Sequence, residues 1–249
     1  MGIPSYADRM AGVSGSAVRE ILKLTQQPDI ISFGGGLPSA DSFPMESLKE
    51  ILHDLTDNLS QELLQYGQTE GYDPLRQEIV KLMATKGVNV AMEEVLITSG
   101  SQQGLDLIAK SFINPGDKIV VESPTYLAAL QTFRMYGAEF IEAPVDADGV
   151  IADELDKILA SEENVKLIYM IPSFQNPSGR TVSAERRKAI MEVVQKYDVI
   201  LIEDAPYEDL KYTDDVYPCM KSMDTTGQVL YFGSFSKVIT PGFRLGYSI

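Results

Sequence analysis

The sequence is poor in residues that cross-link chains or bind metals: its 249 residues include one cysteine, Cys219, and one histidine, His53. One thiol cannot form an internal disulfide or, by itself, a thiolate metal cluster, which fits a reducing compartment. His53 lies near Glu50, Asp54 and Asp57 in a segment of helical periodicity. We expect a solvated helix surface there, and the sequence predicts no metal site.

Long apolar runs are also missing. No stretch approaches the roughly 20 apolar residues that are required to cross a bilayer. Asp8 and Arg9 lie where a signal peptide would need an apolar core. The sixth residue is Tyr6, whereas a myristoylation signal needs serine or threonine there. These features predict a cytoplasmic protein without a membrane anchor.

Positive charge is scarce, because 21 Lys and Arg face 36 Asp and Glu and the formal net charge is −15. A nucleic-acid partner needs clustered basic residues, so this balance argues against one. With 44% hydrophobic and 23% charged residues, the composition is that of an ordinary globular protein. The acidic excess is most simply a solvated surface.

Short apolar runs alternate with segments of helical periodicity from about residue 94 onward, a pattern typical of a mostly parallel sheet. Seven runs are candidate strands: VLIT (95–98), KIVVE (118–122), EFIEA (139–143), KLIYMI (166–171), VILIED (199–204), VLYFGS (229–234) and RLGYSI (244–249). Their continuous apolar character predicts strands that are covered on both faces. The predicted fold is therefore a three-layer α/β/α domain with a seven-stranded, mostly parallel sheet.

Helical periodicity predicts helices over 46–60, 73–86, 102–112, 126–136, 152–160 and 184–196. Asp73 and Pro74 are typical of a helix start, with the aspartate as the cap and the proline in the first turn. The chain ends at Ile249 inside a predicted strand, so we interpret it as truncated.

Chemically useful side chains follow several of the predicted strands. Ligands of open α/β sheets bind at the carboxyl ends of the strands. After the first run, Thr98-Ser99-Gly100-Ser101-Gln102 combines hydroxyls, a glycine and a helix start, which suits a phosphate but also an ordinary capped turn. Tyr126 follows the second run and Asn176 the fourth; taken alone, each also fits simple packing or a plain loop.

Two further clusters follow the later strands. Asp204 ends a predicted buried strand, three residues before Tyr207. A buried charge is costly unless it is paired, so we expect a cationic partner such as a structural arginine. The last cluster places Ser234, Ser236, Lys237 and Arg244 after the sixth strand, although a lysine there could simply be a solvated helix start.

The order of these clusters is more specific than any single one. Ser-Gly-Ser, then tyrosine, Asn-Pro-x-Gly, Asp-x-x-Tyr, and finally Ser-x-Ser-Lys with arginine resembles the pyridoxal-phosphate enzymes of the aspartate aminotransferase superfamily, which have fold type I. The resemblance covers nearly the whole chain. The segments 5–10, 14–39 and LLQYGQTEGYDPLR (63–76) also resemble the N-terminal arm of the branch that contains 2-aminoadipate and kynurenine aminotransferases.

The resemblance implies a role for each residue of the pattern. Lys237 would form a Schiff base with the cofactor aldehyde and later move a proton, a task for an amine with a lowered pKa. Asp204 would face the pyridine nitrogen. Tyr207 and Asn176 would hydrogen-bond the phenolic oxygen, and Tyr126 would stack on the ring. The phosphate would be held by Gly100, Ser101, Gln102, Ser234, Ser236 and Arg244.

The resemblance also implies substrates and a partner. They would be an α-amino acid donor and a 2-oxo acid acceptor, with 2-oxoglutarate favoured as acceptor. The favoured donors are 2-aminoadipate, an aromatic or a branched-chain amino acid. Gly36 and Asn176 would lie against the substrate. Tyr66 resembles the tyrosine that reaches the phosphate of a partner subunit, which implies a homodimer.

The chain departs from the family at its end, where a C-terminal segment should complete a small domain and supply an arginine for the substrate carboxylate. The expected division is an arm with part of the small domain over 1–45 and the cofactor-binding large domain over 46–249, with the C-terminal small domain absent. We therefore expect cofactor binding with little or no transamination. We also expect exposed apolar surface near a helix around Val18, Ile21 and Leu22, with weak solubility.

Three other classes of protein share parts of this pattern. Ser234-x-x-Lys237 matches the nucleophile motif of penicillin-binding proteins, but the Lys-Thr-Gly and Ser-Asp-Asn elements are missing. Some transcription regulators carry a similar domain as a cofactor-binding sensor behind a basic winged-helix region, whereas this chain is acidic throughout and begins with the enzyme's arm. Lyases, decarboxylases and other enzymes of the same fold share the cofactor residues and stay open.

Overall fold

The structure is a computed structural model, and it describes residues 5–10, 29–31 and 36–249. The predicted helix around Val18, Ile21 and Leu22, most of the 1–45 arm and the residues Phe33, Gly34 and Gly35 lie outside the described residues.

A seven-stranded sheet forms the centre of the molecule, as the sequence predicts. Its spatial order is β1-β9-β8-β7-β6-β2-β3. The strands are β1 (Leu96–Thr98), β2 (Lys118–Glu122), β3 (Glu139–Ala143), β6 (Val165–Met170), β7 (Ile200–Asp204), β8 (Val229–Ser234) and β9 (Gly246–Ser248). Only β9 runs against its neighbours β1 and β8; the other pairs of adjacent strands are parallel. A small antiparallel hairpin of β4 (Val145–Asp146) and β5 (Gly149–Val150) is additional to the prediction.

Helices connect the strands and cover both faces of the sheet. They are α1 (Met45–Asn58), α2 (Ser60–Leu63), α3 (Asp73–Thr85), α4 (Ser101–Phe112), α5 (Leu127–Met135), α6 (Ala152–Ser161) and α7 (Ala184–Val194). The helix predicted over 46–60 thus ends at Asn58, and a short second helix follows it.

The predicted cap of α3 is wrong by one residue. Tyr72 occupies the N-cap position without a side-chain cap, and Asp73 is the first helical residue. The Asp73 carboxylate instead binds the Arg76 guanidinium at 2.8 Å. Pro74 lies in the first turn, where its missing N–H costs nothing because that position has no acceptor within the helix.

Alternation along the strands creates one apolar layer on each face of the sheet. On one face, Val120, Ile168 and Leu201 pack against α6 and α7 through residues such as Leu155 and Ile190. On the other face, the strands pack against α4 and α5 through Ile119, Val121, Leu167, Tyr169, Ile202, Phe232, Leu105, Ala129 and Phe133. This arrangement confirms the three-layer α/β/α prediction.

Helix α1 lies apart from these layers. None of its residues is buried, and the apolar side chains of Met45, Ile51 and Leu52 are each more than half exposed. Within the described ranges, no helix is both long and apolar enough to cross a membrane.

Candidate active site

The strand order brings the predicted site residues to one edge of the sheet. Neighbouring parallel strands end on the same side, so the segments after β6, β7 and β8 meet there. Asp204 is the last residue of β7, Asn176 follows β6, and Ser234 ends β8. The edge therefore collects a carboxylate, an amide and a hydroxyl from three adjacent strands.

Asp204 is the most deeply buried of these groups, with 2% of its surface exposed. Its Oδ2 accepts a 2.7 Å hydrogen bond from the hydroxyl of Tyr169 on β6. Its Oδ1 is buried and has no hydrogen-bond partner within the described part of the chain. Burial raises the pKa of this carboxyl to about 6, although the bond from Tyr169 acts in the opposite direction. A buried acid with one free oxygen is suited to meet a polar or cationic group of a ligand.

Two tyrosines and an amide surround the same position. The Asn176 Nδ2 donates a 3.3 Å hydrogen bond to the hydroxyl of Tyr207. Tyr126 is partly buried, and burial followed by the charge of Asp204 raises the pKa of its hydroxyl. Burial is also the main cause of the raised pKa of Tyr207, with a smaller contribution from Asp204. Both tyrosines therefore lie within electrostatic range of the buried carboxylate.

Lys237 approaches this group from the loop after β8. Its Nζ lies 5.8 Å from the centre of the Tyr207 ring and donates a 3.1 Å hydrogen bond to the carbonyl oxygen of Gly36. Burial lowers the pKa of the amine. A lower pKa increases the neutral fraction, which is the form that attacks a carbonyl.

The β1–α4 turn packs tightly against the start of β9. Gly246 pairs with Thr98 on one side and with Ser234 on the other, so the loops that follow β1 and β8 are neighbours. A Cβ on Gly246 would lie 2.8 Å from backbone atoms of Gly100 and Ser101. Glycine is therefore required for this approach.

The same turn carries the start of α4 and faces a guanidinium. Gly100 precedes α4 with a φ of 72°, and a Cβ there would lie 2.8 Å from Nη2 of Arg244. The first N–H groups of a helix have no partner within the helix. These N–H groups and the Arg244 guanidinium are both suited to an anion.

The other predicted phosphate residues are placed as follows. Ser234 Oγ accepts a 3.2 Å bond from the N–H of Ser236, at the loop beside β9. The side chain of Gln102 donates to Thr132 at 2.6 Å, and its backbone N–H lies in the first turn of α4. Tyr66 is 98% exposed.

Sequence reasoning missed Tyr169 and Gly246. Tyr169 lies inside the apolar run KLIYMI, where a tyrosine is expected to pack, and nothing local shows that its hydroxyl reaches Asp204. The sequence did indicate that a buried Asp204 needs a partner. The partner we expected was a cation rather than a tyrosine hydroxyl. Gly246 was predicted only as part of the last strand. Its contact with the β1–α4 turn depends on the order of the strands in the sheet, which the sequence does not show.

Comparisons with known proteins define the family of the chain. The family described as "Aminotransferase class I and II" matches residues 28–249, and the chain belongs to this family. Aromatic-amino-acid aminotransferase 1 of Thermococcus litoralis is 43% identical over 247 residues, which are 97% of this chain and 59% of that protein. The chain thus spans about three fifths of the length of this relative.

Two solved structures have the same fold. The kynurenine aminotransferase of Pyrococcus horikoshii, in complex with PMP, is 41% identical with a TM-score of 0.91, over 98% of this chain and 61% of that one. The α-aminoadipate aminotransferase of Thermus thermophilus, complexed with N-(5′-phosphopyridoxyl)-L-leucine, is 35% identical with a TM-score of 0.88, over 98% and 61%. These relatives confirm the branch that the N-terminal segments resemble.

Family membership and these ligand-bearing structures identify pyridoxal phosphate as the cofactor. The described residues fit it. The Oδ1 of buried Asp204, which has no partner among the described residues, suits a protonated ring nitrogen. The start of α4 beside Arg244 suits the phosphate, and the partly buried amine of Lys237 suits the aldehyde.

Proposed function

We propose that this chain holds the catalytic cofactor site of a transaminase, which moves an amino group from an α-amino acid to a 2-oxo acid. The observation that carries the proposal is that two chemically suitable groups lie at the same edge of the sheet. One is the buried Asp204 carboxyl with its free Oδ1, and the other is the Lys237 amine beside Tyr207. When bound, pyridoxal phosphate supplies an electron-withdrawing ring that stabilises negative charge on the substrate Cα.

The two central residues have complementary tasks. Asp204 keeps a proton on the ring nitrogen, and burial strengthens this ion pair because little water competes for the carboxylate. Lys237 would bind the aldehyde through Nζ and, once the substrate amine has replaced it there, would accept the proton from Cα of the substrate. Its lowered pKa favours both tasks, since each requires a neutral amine.

The surrounding residues orient the group. Tyr207 and Asn176, which are already hydrogen-bonded to each other, donate to the phenolic oxygen, and Tyr126 stacks on the ring. The phosphate is held by backbone N–H groups and side chains of Gly100, Ser101, Gln102, Ser234, Ser236 and Arg244. Gly36, whose carbonyl accepts from Lys237, lies against the substrate together with Asn176.

We propose further that the active protein is a homodimer. Tyr66 is 98% exposed, as expected of a side chain that reaches the phosphate in a partner subunit. Helix α1 has an amphipathic pattern but no buried residue, and its exposed Ile51 and Leu52 offer apolar surface that association would cover. In this arrangement, residues 46–249 form the cofactor-binding domain, and each site takes a residue from both subunits.

For substrates, we propose 2-oxoglutarate as the acceptor and 2-aminoadipate, an aromatic or a branched-chain amino acid as the donor. The support is the similarity to relatives named for aromatic, kynurenine and α-aminoadipate aminotransferase activity. Loop side chains near Gly36 and Asn176 would choose among them.

A donor panel tests the reaction. The purified protein with added pyridoxal phosphate is incubated with each amino acid and 2-oxoglutarate, and glutamate, carbon dioxide and ammonia are measured. Little glutamate is expected from this chain, and whatever forms should disappear in Lys237→Ala. Carbon dioxide or ammonia without glutamate would indicate a decarboxylase or lyase instead.

A further inference from the structure

We propose that Gln175 is a positioning residue for the candidate active site: its side-chain amide holds the loop that carries Asn176 against the loop that carries Tyr126. The inference rests on the proposed function, because its consequence is the placement of two residues around the cofactor. No role in the site follows from the position of Gln175 in the sequence, where it is simply the residue before Asn176.

The amide of Gln175 connects two segments that are far apart in the chain. Its Nε2 donates a 2.7 Å hydrogen bond to the carbonyl oxygen of Pro124, two residues before Tyr126. Its Oε1 accepts from both the N–H of Ser178, at 2.9 Å, and the Ser178 hydroxyl, at 2.7 Å. One side chain therefore closes the turn around Asn176 and fastens that turn to the segment after β2.

Burial makes these bonds specific. Gln175 is 4% exposed, so water cannot replace a lost partner of its amide without rearrangement, and an unpaired amide would carry a desolvation cost. The second N–H of the amide is directed to Glu122, whose Oε2 lies 3.5 Å away. All donors and acceptors of this amide thus have partners.

Glu122 extends the same connection to the sheet. It ends β2, is 4% exposed, and its Oε2 accepts a 2.9 Å bond from the N–H of Ile171 at the end of the neighbouring strand β6. Burial raises the pKa of this carboxyl to about 7. The amide of Gln175 is consequently anchored to the ends of the two strands that lead into the two loops.

The backbone of the Asn176 loop is itself held in a strained shape. Phe174 has a φ of 52°, in the left-handed region that is unfavourable for a bulky residue. Its N–H donates to Thr181 Oγ1 at 3.1 Å, and the N–H of Gln175 donates to the carbonyl of Arg180 at 2.8 Å. Such a strained conformation persists only where several surrounding hydrogen bonds fix it. Gln175 supplies several of these hydrogen bonds.

The consequence for the site follows from the bond between Asn176 and Tyr207, at 3.3 Å. If the loop shifts, Asn176 and Tyr207 no longer share one fixed arrangement around the phenolic oxygen of the cofactor. Hydrogen-bond donors to the phenolic oxygen stabilise its negative charge, so this oxygen binds a nearby proton less tightly. A loosened loop therefore raises the pH at which the bound cofactor changes its visible absorption.

The test uses Gln175→Met, which keeps the length of the side chain but removes every hydrogen bond of the side-chain amide. Gln228→Met is the matched control: Gln228 donates to the carbonyls of Tyr197 at 2.6 Å and Val199 at 2.9 Å, at the opposite edge of the sheet. For each protein, the dissociation constant of pyridoxal phosphate, the pH midpoint of the visible band and the urea midpoint are measured. If Gln175→Met does not fold, Gln175→Glu replaces it, since that variant keeps acceptors for Ser178 but has no donor for Pro124.

We expect the Gln175 variant to bind the cofactor about threefold to tenfold more weakly and to shift the midpoint of the band upward. The control should lower the urea midpoint without moving the band. A normal band and affinity in the Gln175 variant would overturn the inference, as would equal shifts in both variants. Absence of a band in the unmodified protein would overturn the proposed function and, with it, this inference.

Discussion

Tyr169 and Asp204 form a hydrogen-bonded pair across the neighbouring parallel strands β6 and β7, with the tyrosine hydroxyl 2.7 Å from Oδ2 of the carboxylate. Tyr169 pairs in register with Ile202, and Asp204 lies two residues further on the same face of the sheet. The pair orients the carboxyl so that Oδ1 is the oxygen without a partner within the described ranges. The substitution Tyr169→Phe tests whether this orientation matters.

In Tyr169→Phe, a buried acceptor loses its only donor among the described residues, so we expect a loss of about 1–3 kcal/mol in the free energy of unfolding together with weaker cofactor binding. Urea unfolding and cofactor titration measure the two effects. Tyr197→Phe is the matched control, because Tyr197 donates to Asp156 at 2.8 Å, on helix α6, which carries none of the site residues. If both variants lose cofactor affinity to the same extent, the orienting role of Tyr169 is wrong.

Gly246→Ala tests the packing of the β1–α4 turn. The added Cβ would lie 2.8 Å from backbone atoms of Gly100 and Ser101, so the turn must move away from β9. We expect at least tenfold weaker binding of pyridoxal phosphate, in line with a shift of about 1.4 kcal/mol. Gly242→Ala is the control, since its nearest neighbour, the Thr240 hydroxyl, is 3.6 Å away. Equal affinities in the two variants would show that this approach does not shape the phosphate site.

Stability of the cofactor-free protein should depend on pH through Asp204. Its folded-state pKa of about 6 lies above the ordinary value of 3.8, so the folded chain binds the proton more tightly than the unfolded chain does. This contribution is full at low pH and is lost as the pH rises from about 4 to 7. The Asp204→Asn side chain cannot ionise, so this variant lacks that loss. Between pH 4 and 7 we expect its unfolding free energy to fall by roughly 2–3 kcal/mol less than that of the unmodified protein. Parallel curves for the two proteins would contradict the assignment.

Shared sites in a homodimer predict complementation. When a Tyr66→Ala variant is mixed with Lys237→Ala and the subunits exchange, each mixed dimer contains one site with both natural residues. Random exchange then restores about a quarter of the sites, and turnover should exceed the sum for the separate variants. Additive turnover, despite mixed dimers shown by native mass spectrometry, would refute a site shared through Tyr66.

The sheet was predictable because its strands are continuous apolar runs, which can pack only when both faces are covered. The gathering of Asp204, Asn176, Tyr126 and Lys237 was predictable because each follows a strand. The sequence did not reveal contacts that depend on strand order, such as Tyr169 with Asp204 or Gly246 with the β1–α4 turn. It also misplaced the cap of α3, since Asp73 binds Arg76 as readily as it could cap the helix.

The central claim is that Lys237 is the residue that holds the cofactor. The protein is mixed with pyridoxal phosphate, its visible spectrum is recorded before and after borohydride reduction, and the reduced adduct is located by peptide mapping. We expect a visible band that disappears on reduction and an adduct on the peptide that contains Lys237. An adduct spread over surface lysines, or one confined to another lysine, would contradict it.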